Sequence, residues 1–188
     1  ATSIADDLNL NKGNSFDIGG TTAKITISEN KKAIKDREYE VDRKARFKKG
    51  SGLPLRIPVR EMVEIGAGGG SIARGNKLVQ IITGPDSAGS FPGPACYDNG
   101  GERPTITDAD LVIGKINPDN FAGGKISLSK DLANKAIKKN ISEIVKMDNE
   151  TAALAISEIV DETMSNAARV HTVEQGHETS NRTLIAFG

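Results

Sequence analysis

The chain has 188 residues, of which 37% are apolar and 27% charged, and its 25 basic side chains balance 25 acidic ones. That is the balance of a soluble globular chain long enough for a real core, and it excludes a disordered polyelectrolyte. A net charge of zero offers no positive field to nucleic acid or acidic lipid, and no apolar stretch reaches bilayer length, so neither nucleic acid nor membrane is an expected partner. Cys96 is the single cysteine, which rules out an internal disulfide and points to a cytoplasmic location. With no tryptophan and 4% aromatics, Ile, Val, Leu and Ala have to fill the core.

In chain order, Ala1 to Leu8 reads as the tail of a helix. Asn14 to Ile18 predicts a strand that Gly19-Gly20 breaks. From Thr22 to Ser28, Thr and Lys alternate with Ala23, Ile25 and Ile27, the period of a half-buried strand, and the two segments form a hairpin with a glycine turn. Arg37 to Val41 is a third, weaker strand. Arg43, Lys44, Arg46, Lys48 and Lys49 then make a basic loop, either a solvated surface or a rim that attracts an anion. Val59 to Ile65 predicts a strand, followed by the dense glycine run Gly66 to Gly70. Ser71 to Arg74 and Lys77 to Ile82 flank Gly75-Asn76 as a hairpin, and Gly84 to Gly101 is too rich in Gly and Pro for regular structure.

Beyond it the pattern turns helical. Thr107 is placed to cap a helix over Asp108 to Gly114, with Asp108 and Asp110 near its positive end, and Ser129 to cap Lys130 to Asn140. Ala152, Ile156, Ile159, Val160, Met164, Ala167 and Ala168 mark a long amphipathic helix from about Glu150 to Val170. Thr183 to Phe187 reads as a buried closing strand. The expected organisation is a strand-rich segment over 14–82, a Gly/Pro loop over 83–104, helices over 107–170 and a final strand over 183–188.

Three motifs carry chemistry. In Asp17-Ile18-Gly19-Gly20-Thr21-Thr22, glycines at a strand end allow positive φ and close backbone approach, successive amides form an anion nest, and Thr21 and Thr22 add hydroxyls. Asp17 is placed to hold a metal-bound water or orient a nucleophile. The bland alternative is a hairpin whose glycines only make the turn. The second motif, Glu64-Ile65-Gly66-Ala67-Gly68-Gly69-Gly70-Ser71, must pass close to a ligand or to another backbone. The third, Gly84-Pro85-Asp86-Ser87-Ala88-Gly89 with Pro92-Gly93-Pro94-Ala95-Cys96-Tyr97, is a stiffened loop in which Cys96 reads as a buried, inert thiol. His171 and His177, six apart with Glu174 between them, do not have zinc-ligand spacing and read as ordinary helix-end histidines. No Gly-Lys-Ser/Thr loop and no Gly-x-Ser-x-Gly elbow occurs.

Taken in order, these blocks resemble the A-type polypeptide of the hydantoinase/oxoprolinase family. The likeness runs from Phe16-Asp17-Ile18-Gly19-Gly20-Thr21-Thr22-Ala23-Lys24 through Lys48-Lys49-Gly50-Ser51-Gly52-Leu53-Pro54-Leu55-Arg56-Ile57-Pro58-Val59, Glu64 to Ala73 and Gly84 to Gly89. It continues in Pro92 to Tyr97 and Pro104-Thr105-Ile106-Thr107-Asp108-Ala109-Asp110-Leu111, and ends with Arg169 to Gly176 and Ala186-Phe187-Gly188. The family includes hydantoin-ring and 5-oxoproline hydrolases and the acetone and acetophenone carboxylases. The resemblance implies an α/β domain of actin-like ATPase (ribonuclease H-like) type, a mixed sheet flanked by helices, incomplete in this chain. It implies ATP and Mg²⁺ as cofactors, phosphoryl activation of a carbonyl or amide oxygen, and a small cyclic amide or ketone as substrate. A B-type hydantoinase subunit is the implied partner.

By the same resemblance, Asp17 is the catalytic carboxylate, and Gly19, Gly20, Thr21 and Thr22 form the second phosphate loop. Gly66, Gly68, Gly69, Gly70 and Ser71 line the same cleft, and Gly188 opens a turn facing the adenosine. Lys24 stands where many relatives carry Asp, which leaves the metal ligands undefined. Family chains are several times longer, so the first phosphate loop is expected outside these 188 residues, and little activity is expected from them alone. The resulting function is an ATP-dependent cyclic-amide hydrolase. The alternatives are a ketone carboxylase subunit, a nucleotide-binding or assembly module that needs a partner chain, and a sugar kinase, which the Gly-Ala-Gly-Gly-Gly-Ser block opposes.

Overall fold

The computed structural model describes residues 2–36, 39–42, 44 and 50–188. In chain order they form helix α1 (Thr2–Asp7) and strands β1 (Lys12–Ile18), β2 (Ala23–Glu29), β3 (Lys32–Ala33), β4 (Lys35–Asp36), β5 (Tyr39–Val41), β6 (Leu53–Leu55), β7 (Val59–Arg60), β8 (Met62–Ile65), β9 (Ser71–Gly75) and β10 (Ile81–Ser87). Helices α2 (Ile106–Val112), α3 (Lys130–Ile137), α4 (Glu143–Val145) and α5 (Asn149–Glu174) follow, and strand β11 (Thr183–Phe187) comes last. The chain divides into two units. One comprises Ala1–Ile18, Ala23–Ile65 and Ser165–Gly188, and the other Gly19–Thr22 and Gly66–Met164. No helix among the described residues is long and apolar enough to cross a membrane.

The first unit is built on a mixed sheet. β1 and β2 pair antiparallel over Lys12↔Glu29 to Ile18↔Ala23, and β11 joins β1 in parallel over Gly13↔Thr183 to Asp17↔Phe187. The far side of β2 is shared by β8, opposite Ala23 to Thr26, and β3, opposite Ser28 and Glu29. The alternation read in β2 is realised: Ala23, Ile25 and Ile27 are fully buried on the face they share with Phe16 and Ile65, whereas Ile185, the register partner of Ser15, is buried on the other. Each Ile or Phe side chain among them removed from water contributes about 1.5–3 kcal/mol. β11 departs from expectation. Among the described residues it pairs with β1 alone, and Ile185 is buried while Leu184 is 62% and Phe187 43% exposed. Of the expected third strand, β5 is observed, and Arg37 and Glu38 lie outside the described residues, as do Arg43 and residues 45–49 of the basic loop.

A buried polar network fixes the start of β11. Arg182, with its side chain only 2% exposed, donates from Nε to Asn14 Oδ1 (2.9 Å), from one terminal nitrogen to Glu29 Oε1 (2.7 Å) and from the other to the Ser28 carbonyl (2.8 Å). Asn14 in turn donates to Thr172 Oγ1 on α5 at 3.2 Å. Burial works against the Glu29 charge, yet the Arg182 hydrogen bond and charge, helped by His177 and Lys12, hold its carboxyl below the ordinary 4.5. A depressed native value means that Glu29 adds stability above its unfolded value and loses it as pH falls through the native one. Stability against urea should therefore fall more steeply in the wild type than in Glu29→Gln as the pH is lowered past the ordinary 4.5. Equal slopes would show that the ion pair adds nothing.

The second unit joins the β9–β10 hairpin to helices α2 to α4 and the first part of α5. The hairpin turn is longer than expected. Asn76 to Gln80 close it, with Asn76 Oδ1 accepting from the amides of Leu78 (2.9 Å) and Gln80 (3.0 Å). β10 then runs on through Gly84-Pro85-Asp86-Ser87, a segment whose composition argued against regular structure. A register shift between Thr83 and Ser87 absorbs the irregularity. The cap of α2 is Thr105, not Thr107. Thr105 and Asp108 form a reciprocal capping box, which places the helix start two residues earlier. Ser129 caps α3 as its position implied, accepting from the Leu132 amide at 3.3 Å. α3 stops at Ile137, and a π-helical turn over Lys138–Ser142 leads into α4.

Candidate functional site

Two small-residue turns meet in the second unit. In the first, the Gly19 N–H donates to the Thr22 carbonyl at 3.0 Å, so Gly20 and Thr21 form the tip. The glycine run after β8 lies against that tip, backbone on backbone. Gly69 N–H donates to the Gly19 carbonyl (3.1 Å) and Gly70 N–H to the Gly20 carbonyl (2.6 Å). A side-chain carbon at Gly68 would sit 2.5 Å from the Gly19 oxygen and 2.9 Å from both the Gly20 carbon and the Thr21 nitrogen. One at Gly70 would sit 2.8 Å from the Gly20 oxygen. Close approach is thus the reason for glycine here. Left-handed backbone, the other use of glycine expected from the sequence, is not: none of Gly19, Gly20, Gly66, Gly68, Gly69 and Gly70 has a positive φ.

Side chains from three further segments lock the pair. Thr107 of α2 donates to the Gly69 carbonyl from its amide and from Oγ1, each at 2.9 Å, which is the place of the threonine expected to cap the helix. Ser71 Oγ accepts from the Gly68 amide at 3.0 Å, and the Ser71 amide returns a bond to the Gly68 carbonyl at 2.9 Å. At the end of β10, Ser87 Oγ lies 3.4 Å from Thr21 Oγ1, and the Ala88 amide donates to the Gly70 carbonyl at 2.8 Å. The three motifs singled out in the sequence therefore converge. Ser87 had no role of its own assigned there and Thr107 was assigned to a helix cap; the only signal for their part here was position beside the glycine blocks.

The hydrogen bonds divide the labour between the turns. The amides of Gly68, Gly69 and Gly70 are committed inside the protein. The amides of Gly20, Thr21 and Thr22 make no hydrogen bond among the described residues. Three successive open N–H groups, in a turn whose carbonyls are pinned from behind, are what an oxyanion needs. Gly66 and Gly20 have no atom within 4 Å of the space a side chain would take.

Asp17 and Gly188 belong to the first unit. Asp17 is the register partner of Lys24 across the hairpin and of Phe187 along β11, and it lines a cavity with both. Gly188, with φ +145°, lies flat on β1, where a side-chain carbon would fall onto the Ile18 carbonyl. His171 is buried on α5 with Nδ1 4.0 Å from Glu61 Oε1, and His177 Nδ1 is 3.4 Å from Glu29 Oε1, so the two histidines face different carboxylates. Among the described residues no cluster of three or more His, Cys, Asp or Glu suits a metal ion.

Cys96, within the Gly/Pro loop, is fully buried. Burial, reinforced by the adjacent Asp108 charge, raises its thiol far above the ordinary 9.0, which leaves it a packing group.

The chain is similar to known proteins in sequence and in fold. The family model for hydantoinase/oxoprolinase matches residues 1–188. The acetophenone carboxylase gamma subunit of Aromatoleum aromaticum is 42% identical over 71% of the chain, which covers 18% of that protein. The nucleotide-free structure of acetone carboxylase superposes over 100% of the chain with a TM-score of 0.85 and 27% identity, covering 25% of that polypeptide. The crystal structure of ATP-dependent caprolactamase from Pseudomonas jessenii superposes over 99% with a TM-score of 0.81 and 31% identity, covering 26%. The chain thus spans about a quarter or less of the length of these relatives.

Proposed function

The chain belongs to the hydantoinase/oxoprolinase family, and from that premise we propose that it holds the phosphates of ATP on the open amides of Gly20, Thr21 and Thr22, as part of an enzyme that hydrolyses a cyclic amide. The supporting observation is the division of hydrogen bonds: one turn is spent on fixing the shape of the other, whose amides stay available. Bound ATP would supply a phosphoryl group to a carbonyl or amide oxygen of the substrate, making a poor electrophile reactive. The part of this chain is positioning and charge neutralisation. The three amides would face developing negative charge without reorganising, because Gly68, Gly69, Gly70 and Thr107 hold the backbone behind them. The Thr21 and Thr22 hydroxyls add donors, and Asp17 is the carboxylate for the water shell of Mg²⁺. Gly66 to Ser71 serve as a buttress, and Gly188 lets β11 pass flat beside β1.

One observation favours a second reading: the carboxylase relative is 42% identical, so ketone carboxylation is the alternative activity. Two relatives are carboxylases or subunits of them, which supports a partner polypeptide of the B type.

Calorimetric titration tests the site. ATP–Mg²⁺ should bind saturably and AMP at least about tenfold more weakly, since charge-assisted bonds to phosphate carry the affinity. Equal affinity for the two would remove the phosphate turn from the argument. Turnover assays with the B-type polypeptide added, on hydantoin, 5-oxoproline and acetophenone, separate hydrolase from carboxylase.

A further inference from the structure

Inside the first unit, β1 and β2 place four polar residues on the sheet face opposite Phe16, Ile25 and Ile27. The register pairs Ser15 with Thr26 and Asp17 with Lys24, and side chains two apart share a face. These four line a cavity of about 210 Å³. Arg60 of β7 brings a second cation to it, and Met62 of β8 and Phe187 of β11 give it an apolar flank. The Ser15 and Thr26 hydroxyls hydrogen-bond one another. The charged groups do not behave this way. Asp17, Lys24 and Arg60 form no ion pair or side-chain hydrogen bond among the described residues, although Asp17 and Lys24 are direct register partners and half-buried.

Two cations against one carboxylate leave the cavity with an excess positive charge beside hydrocarbon. Lone charges in a partly enclosed space lose hydration without recovering it from a partner. A guanidinium offers a planar fork that fits a carboxylate in two bonds, and an ammonium adds a point charge. We propose that this cavity anchors the carboxylate of a small organic acid through Lys24 and Arg60, with the acid's ring or chain against Met62 and Phe187. The identification of that acid as the substrate to be activated rests on the nucleotide reading above. The binding of a carboxylate here does not.

The test compares 5-oxoproline with 2-pyrrolidinone, the same ring without its carboxylate. Each is titrated into the wild-type chain, Lys24→Met, Arg60→Met and Arg60→Lys, with ATP–Mg²⁺ and inorganic phosphate titrated separately. 5-Oxoproline should bind the wild type at least about tenfold more tightly than 2-pyrrolidinone, and each methionine variant should lose about tenfold for the acid only. Arg60→Lys, which keeps the charge and loses the fork, should fall between. Equal affinity for acid and neutral ring in the wild type overturns the proposal. So does a loss of phosphate or ATP affinity in Lys24→Met as large as the loss for 5-oxoproline, because the cations would then be phosphate ligands. A wild type that prefers the acid but binds no ATP would uphold the anchor and sink the nucleotide reading. Unchanged melting of Arg60→Lys keeps the result readable if a methionine variant unfolds.

Discussion

Replacing Asp108 with asparagine is expected to destabilise the chain by about 3–5 kcal/mol, read as a fall in the urea midpoint. Asp108 is fully buried and serves as an acceptor on every side. Oδ1 receives the Cys96 amide at 2.7 Å, and Oδ2 receives the Ala95 amide (3.2 Å), the Thr105 amide (2.7 Å) and the Thr105 hydroxyl (2.8 Å). Asparagine is nearly the same shape, but its amide nitrogen is a donor. Whichever way it turns, it sets N–H groups against N–H groups where water cannot intervene, and each stranded donor costs about 1–3 kcal/mol.

The same substitution carries a second readout. The carboxylate ties Ala95 and Cys96 to the first turn of α2, and that helix presents Thr107 to the Gly69 carbonyl. Loosening it should free the loop, so the Cys96 thiol, inert in the wild type at pH 8, should react with a thiol reagent in the native variant. ATP affinity should fall with it. A variant with wild-type stability and an unreactive thiol would show that the loop is held by packing and that the buried charge is incidental.

Asp108 also marks how far the sequence could be read. Its place at the start of a helix was visible, because an acidic residue near a helix N-terminus has a local cause. That it reaches back to Ala95 and Cys96 was not, since nothing local in Pro94-Ala95-Cys96 announces an acceptor twelve residues on. The alternation in β2 and the apolar steps of α5 were legible because period is written in the sequence itself. β11 read as buried because Leu184, Ile185 and Phe187 are apolar, and only the pairing shows that among the described residues it has β1 as its one neighbour. The glycine motifs were legible as places of close approach. Which backbone approaches which is a long-range fact: the amides of Gly69 and Gly70 bond the carbonyls of Gly19 and Gly20, some fifty positions earlier. Thr107 shows the same limit: one residue type, two residues from the true cap, spent on a carbonyl thirty-eight positions earlier.

The division between turns that bind and turns that brace has a direct consequence for alanine at Gly20 and Gly68. At Gly68 the new carbon would lie 2.5–2.9 Å from three main-chain atoms of Gly19, Gly20 and Thr21, none of which belongs to a flexible side chain. Relief requires the two turns to part, breaking the bonds from Gly69 and Gly70. Overpacking of this kind costs about 1–3 kcal/mol and displaces what it touches, so Gly68→Ala should lose stability and ATP affinity together. At Gly20 nothing lies within 4 Å, and φ is not in the left-handed region, so alanine should change stability by less than about 1 kcal/mol. The methyl would nevertheless stand at the tip whose amides are open, where a phosphate oxygen has to approach within hydrogen-bond distance. ATP–Mg²⁺ affinity of Gly20→Ala should fall by about tenfold or more while the melting curve stays in place, since blocking even one charge-assisted bond is worth that much. If Gly20→Ala binds ATP as the wild type does, the tip touches no phosphate and the open amides need another explanation. If Gly20→Ala unfolds as readily as Gly68→Ala, both glycines serve packing, and the distinction between a binding turn and its brace disappears.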